Sequence, residues 1–149
     1  MSSLVARVCA TRTYGAAAWA TTAARVVSGA LFVTFSLGKF TDHAQESVDF
    51  GRYGIPAPEA ATYLVGVLEL LGGLLLVVGL LVRPVALVLA VNLAVAIATA
   101  GRVDGGSFHL GVGPAMLAVM LFLVWAGPGR GALDTRLAVA AQRTGHPAG

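Results

Sequence analysis

Four long apolar stretches separated by short polar or Gly/Pro-rich joints set the pattern of the chain, at about 18–40, 60–82, 84–100 and 109–126. Each is near the roughly 20 residues that cross a ~30 Å hydrocarbon layer. None alternates apolar and polar with period 2, and all exceed the length of a barrel strand. Each is therefore predicted as a helix, which satisfies its own backbone hydrogen bonds in lipid. The third and fourth stretches are short, which leaves a buried re-entrant segment as an alternative for one of them. The predicted fold is all-α: an integral membrane four-helix bundle with antiparallel, up-down-up-down transmembrane helices.

The joints set the boundaries. Pro56 and Pro58 precede the second helix, where Pro58 suits a first-turn position and Glu59 complements the positive end of the dipole. Only Arg83-Pro84 separates the second and third stretches, a tight turn in which Pro84 starts the next helix. Gly127-Pro128-Gly129 ends the fourth, and Thr41 to Glu59 is predicted as a loop. Residues 18–130 thus form one helical domain. Residues 1–17 are a lead-in, poorly ordered as far as Gly15, and 131–149 are a tail with Leu133 and Leu137 on one side of a short surface helix.

Composition sharpens this. The chain is 57% hydrophobic and 11% charged with mean hydropathy +0.82. A soluble domain is about 25% charged, so a water-coated globule is excluded, and so is a disordered chain. The one cysteine, Cys9, excludes a disulfide framework and multi-thiolate zinc clusters. A net charge of +3 with pI about 9.6 does not make a nucleic-acid surface, because the cations sit at segment ends rather than in a patch. Their bias gives orientation instead. Arg7, Arg12, Arg25, Arg83, Arg130, Arg136 and Arg143 fall on one side; Lys39, Arg52 and Arg102 fall on the other. Both termini are therefore expected in the cytoplasm, with Thr41 to Glu59 outside. Arg7 and Arg12 ahead of an Ala-rich run look like the start of a signal peptide, but Arg25 and the span that follows argue against cleavage.

Ionisable groups inside a bilayer cost about 2.5–3.5 kcal/mol each on insertion scales, so each needs a reason. At 100° per residue, Arg25, Ser28, Phe32, Ser36 and Lys39 form one stripe of the first helix. Gly66, Glu69 and Gly73 share a face of the second, and Asn92, Ala96 and Thr99 line up on the third. Helical rise places Ser36 at the height of Glu69, with Lys39 about 9 Å further out, Arg25 about 12 Å further in and Asn92 about 6 Å lower. Lys39 bending inward reaches Glu69, Ser36 is placed to donate to it, and Asn92 bridges to it through water. The five form a candidate intramembrane polar site: Glu69, Lys39, Arg25, Ser36 and Asn92. Such a set serves to fix packing register, as a proton relay, ion path or quinone head-group site, or to dock a partner within the membrane. Gly72 and Gly79 lie off the Glu69 face and are free to pack against a second copy.

Other residues carry less. His43 and His109 lack a third ligand for a metal, and no second histidine faces His109 for haem. Cys9 reads as an unpaired cytoplasmic thiol. Phe40, Phe50, Tyr53 and Tyr63 read as anchors at the outer interface, with Trp125 at the inner one. No CxxC pair, Walker loop, HExxH or GxSxG motif occurs, and the Gly-rich pieces read as packing and a turn.

From Arg25 to Asp134 the order of features resembles the bacterial DoxX family of small four-span membrane proteins. The resemblance rests on Arg25 ahead of SGALFVTFSLGKF, on YGIPAP at Tyr53 to Pro58, on Glu69 in GVLELLGGLLLVVGL, on Leu81-Val82-Arg83 and on GPGRGALD at Gly127 to Asp134, with Ala132 where a serine is usual. It implies a multi-pass protein of the bacterial cell membrane associated with oxidoreductase systems and redox homeostasis. Its implied soluble partners are a superoxide dismutase and a sulfurtransferase. The leading expectation is a membrane subunit or scaffold rather than a stand-alone catalyst, with Arg83, Arg130 and Arg136 docking partners. The alternative is a quinone-reactive subunit, like that of a thiosulfate:quinone oxidoreductase, in which Glu69 accepts a proton and Lys39 or Arg25 holds the quinone oxygen. A small-solute transporter or membrane assembly factor is a further alternative. No metal is expected, and quinone is the one cofactor considered.

Overall fold

Apolar residues at helical spacing account for the core. In α1, Gly15–Thr41, the buried positions are Ala18, Thr21, Arg25, Ser28, Gly29, Phe32 and Ser36, one face of a helix 27 residues long. The computed structural model describes the backbone of residues 9–106 and 108–144. Its further elements are α2 (His43–Arg52), α3 (Pro58–Val78), α4 (Val82–Val103), a π-helical turn (Phe108–Val112), α5 (Gly113–Ala126) and α6 (Leu133–Thr144). Among the described residues every regular element is helical. Three helices, α1, α3 and α4, are long and apolar enough to cross a membrane, and a shorter apolar helix runs Leu110–Ala126.

The helices differ from the expected ones where local chemistry intervened. Thr41 to Glu59 is not only a loop, because His43–Arg52 is helical with Ser47 and Phe50 turned inward. The third long helix starts at Val82, not at Pro84, and its 22 residues remove the shortness that suggested a re-entrant segment. Pro84 falls in the first turn, where backbone N–H groups have no intrahelical acceptor. Pro114 in the first turn of α5 lacks the N–H that would bond back into the preceding turn, and that turn is π-helical. The described part of the lead-in packs on the bundle: Cys9 is buried, Arg12 N donates to Ala126 O at 2.8 Å, and the Thr13 and Thr21 hydroxyls lie 3.0 Å apart. The earlier part of the lead-in, with Arg7, and the last five residues of the tail lie outside the described residues. Leu133–Thr144 forms the expected helix.

α1 packs chiefly on α3, and α4 on α5. Glycines set the first contact. A Cβ on Gly29 would stand 2.7 Å from Gly73 O, and one on Gly73 would stand 2.7 Å from Gly29 O. Two backbones therefore touch, which only glycine permits. Phe32, Leu76, Leu89, Met120 and Leu123 fill the adjoining core. Gly72 lies against Leu89 and Gly79 against Arg25 and Ala132, so neither is free for a second copy.

Charged side chains close the helix ends at the α3–α4 joint. Arg25 is 2% exposed, and its Nη1 donates to Leu76 O at 2.5 Å and Val77 O at 2.9 Å, carbonyls of the last turn of α3. Asp134 is fully buried and accepts from Leu81 N at 2.8 Å and Val82 N at 2.9 Å, capping α4. Arg83 donates to Val124 O at the end of α5 and, at 3.0 Å, to Ala10 O. Cations thus meet the negative helix ends and a carboxylate meets a positive one. Gly79 turns the chain at φ +75°, and a Cβ there would stand 2.5 Å from Arg25 Nη1.

Candidate functional site

The polar residues of three helices meet at one point. Lys39, in the last turn of α1, places Nζ 2.9 Å from Glu69 Oε2, and Asn92 of α4 donates from Nδ2 to Glu69 Oε1 at 2.9 Å. Gly66, one turn before Glu69, lies under Lys39 Cβ and the Phe40 ring, so its missing side chain is what lets α1 approach. The Lys39 and Glu69 side chains are 13% and 11% exposed. Oε2 meets the ammonium as an ion pair but lies off the line of an aligned hydrogen bond. One lone-pair direction of a buried carboxylate is thus left for a further donor.

The group lies on the wall of a cavity of about 400 Å³. Asn92, Ala96 and Thr99, the line read along α4, all face it, with Phe32 and Phe35 of α1 and Met116 of α5. α2 covers it with Glu46, Asp49 and Phe50, followed by Tyr53. This helix is tied down at both ends. The His43 ring stacks on Tyr63 at 3.7 Å, its Nδ1 lies 3.2 Å from Lys39 O, and its Nε2 lies 3.2 Å from Ser47 Oγ. At the other end Arg52 bridges Asp49 Oδ1 and Asp104 Oδ1 at 2.9 Å each, and Tyr53 OH donates to Asp104 Oδ2. Burial, then the Asp104 acceptor and its charge, push the Tyr53 phenol well above its ordinary range. The Asp49 hydrogen bond and the Asp104 charge push Arg52 up.

The structure brings together three of the five expected site residues. Lys39 and Asn92 reach Glu69, Asn92 directly rather than through water. Ser36 does not donate to Glu69; its hydroxyl donates to Val33 O at 2.8 Å within its own helix, as serines in helix interiors do. Arg25 belongs to the opposite end of α3, bound to Leu76 and Val77 carbonyls. Among the docking arginines, Arg83 is turned inward on Val124 and Ala10, whereas Arg130 and Arg136 are exposed and Arg130 lies 5.3 Å above the Trp19 ring. Phe50 and Tyr53 line the cavity, and Phe40 packs over Gly66. The side chain of His109 lies outside the described residues.

Glu46, Asp49, Tyr53, Asp104 and Asp134 were not read from the sequence as site residues. For Glu46, Asp49 and Phe50 the signal was available, since spacing of three and four in a supposed loop is the spacing of one helix face. Asp134 lies 53 residues from its partner Leu81, and no local pattern pairs them.

A family model described as DoxX matches residues 20–102, more than half of the chain. The chain belongs to the DoxX family. The match takes in α1 to α4 and with them Lys39, Glu69 and Asn92, so this DoxX protein carries its buried polar group inside the family segment. The chain is also similar to the uncharacterized membrane protein Rv3486 of Mycobacterium tuberculosis, with 35% identity over 136 residues, covering 81% of this chain and 83% of the relative. No solved structure matches it.

Proposed function

We propose that this DoxX protein is a multi-pass membrane subunit of a redox system that binds a lipid-soluble carrier of the quinone class in the cavity above Glu69. The supporting observation is the Lys39–Glu69–Asn92 group opening on an apolar cavity of about 400 Å³, a size ordinary for small-molecule sites. The Lys39 ammonium and Asn92 amide are the donors for a carbonyl oxygen, Glu69 is the proton acceptor, and the aromatic and aliphatic walls hold the ring. Val95 and Val112, 51% and 39% exposed, stand at the rim, so the approach is from the apolar surface. In this reading α1, α3, α4 and α5 are four antiparallel spans in the bacterial cell membrane, with both termini cytoplasmic. Contacts Arg25–Leu76, Gly29–Gly73 and Phe40–Gly66, which climb one helix as they descend the other, support the antiparallel arrangement. The test is equilibrium binding of a short-tailed benzoquinone to the protein in zwitterionic nanodiscs. Saturable binding lost in Glu69→Gln and Lys39→Met is expected; no binding to the wild type overturns the reading.

A second role fits the exposed Arg130 and Arg136: docking soluble redox enzymes, a superoxide dismutase or sulfurtransferase, at the cytoplasmic face. Co-purification in mild detergent tests it, with loss in Arg130→Glu/Arg136→Glu expected. Recovery of the protein alone overturns it.

A further inference from the structure

The cavity carries a second polar station, on α2, whose charge is not balanced. At the wall the Glu69 carboxylate is neutralised by Lys39 at 2.9 Å. At the cover stand two further carboxylates, Glu46 and Asp49. Asp49 shares Arg52 with Asp104. Glu46 is half-buried, and among the described residues no cation and no side-chain donor reaches its carboxylate. Its Oε1 lies over Gly38, 3.6 Å from where a Cβ would stand, so the side chain is folded back against α1 rather than extended into water. With Glu69 met by Lys39 and Asp49 by Arg52, the Glu46 carboxylate leaves the lined space with an unbalanced negative charge. An apolar enclosure strengthens its field relative to water. Beside the carboxylates Phe35, Phe50 and Tyr53 line the same space. Aromatic faces together with carboxylates are the chemistry that recognises an ammonium ion, through ring quadrupole and charge.

We propose that the Glu46 station, with the Phe35, Phe50 and Tyr53 rings, binds lipophilic organic cations, alkylammonium compounds whose tail lies along the apolar wall, and rejects anionic lipophiles. The cation sits under α2, its charge toward Glu46 and Asp49, while the tail points to the rim at Val95 and Val112. The Glu69 station is not required: its charge is already met, and its donors face a ligand oxygen rather than a cation. This inference therefore uses different residues from the quinone reading and fails separately from it.

The probes are octyltrimethylammonium and octanoate, measured by equilibrium dialysis against protein in zwitterionic nanodiscs, with empty discs subtracted. Saturable binding of the ammonium and none of octanoate is expected. Glu46→Gln should weaken the ammonium at least tenfold, with Asp49→Asn weakening it less because Arg52 already meets that charge. Lys39→Met, which removes the sole cation lining the cavity among the described residues, should leave ammonium binding as tight or tighter while abolishing quinone binding. Equal binding of the two probes overturns the proposal, as does an unchanged ammonium affinity in Glu46→Gln with the variant still monodisperse. Ammonium binding without quinone binding sinks the quinone reading and leaves this one standing.

Discussion

Glu69 is held by two neighbours of unequal kind, and the difference is measurable. Lys39 supplies a charge and Asn92 a neutral hydrogen bond, each at 2.9 Å. Removing one partner of a buried ion pair leaves the other charge uncompensated, at about 3–5 kcal/mol, whereas a neutral hydrogen bond is worth about 1 kcal/mol. Lys39→Met is therefore expected to lower the thermal midpoint in detergent much more than Asn92→Leu. Lys39→Met/Glu69→Gln should recover most of that loss, because no unpaired carboxylate then remains. A double variant as unstable as Lys39→Met alone would show that packing, rather than charge, holds the site. Tyr53 gives a pH-dependent counterpart outside the spans. Burial and the Asp104 acceptor raise its pKa in the folded state, so the folded chain keeps a proton that the unfolded chain releases near pH 10. The resulting stability is complete below pH 10 and declines as pH rises toward the folded value. Alkaline absorbance titration should show one phenol of the three ionising last, and Tyr53→Phe should remove that late step.

At the scale of elements, helix ends explain more than helix middles. The spans were legible because their apolar runs and stripes are local, and the stripe from Arg25 through Phe32 to Ser36 is buried as the 100° reading requires. The polar faces were legible too, which is why Lys39, Glu69 and Asn92 emerged together. What escaped was pairing across distance. Arg25 looked like part of the same site because it shares the stripe, yet fourteen residues of helix place it about 20 Å from Lys39, among the α3 terminal carbonyls. Asp134 shows the same limit, since a single tail carboxylate caps the third long helix through two backbone amides. Loss of a side-chain helix cap costs about 0.5–2 kcal/mol, and here two amides are deprived at once. Asp134→Ala should therefore cost at least the upper end of that range, with hydrogen exchange accelerated at Leu81 and Val82. Asp134→Asn, which keeps one acceptor, should fall between. Cys9 lies against the same carboxylate, and burial followed by the Asp134 charge and hydrogen bond pushes its thiol up. Less thiolate is then present at pH 8, so alkylation of Cys9 by iodoacetamide should be slow in the wild type and faster in Asp134→Asn.

For the whole molecule, the polar groups divide into two sets with different surroundings. Around the α3–α4 joint, Arg25, Arg83 and Asp134 close helix ends, and the rings of Trp19, under Arg130, and Trp125 are exposed. Around α2 the charges are partly solvated and surround a cavity. If this asymmetry reflects the bilayer, α2 lies at the outer face and α6 at the inner one, and the short helix Leu110–Ala126 must span alongside three longer ones. The π-helical turn Phe108–Val112 overlaps its start and extends it by two residues. The arrangement makes a definite labelling pattern. With Cys9→Ser as background, Gln45→Cys on α2 should react with a membrane-impermeant maleimide in intact cells, and Arg136→Cys on α6 only after permeabilisation. Reaction of both positions in intact cells means an odd number of crossings, so the short helix does not span. Reaction of Arg136→Cys alone keeps the four spans and reverses them, and Arg130 and Arg136 would then face away from any cytoplasmic partner.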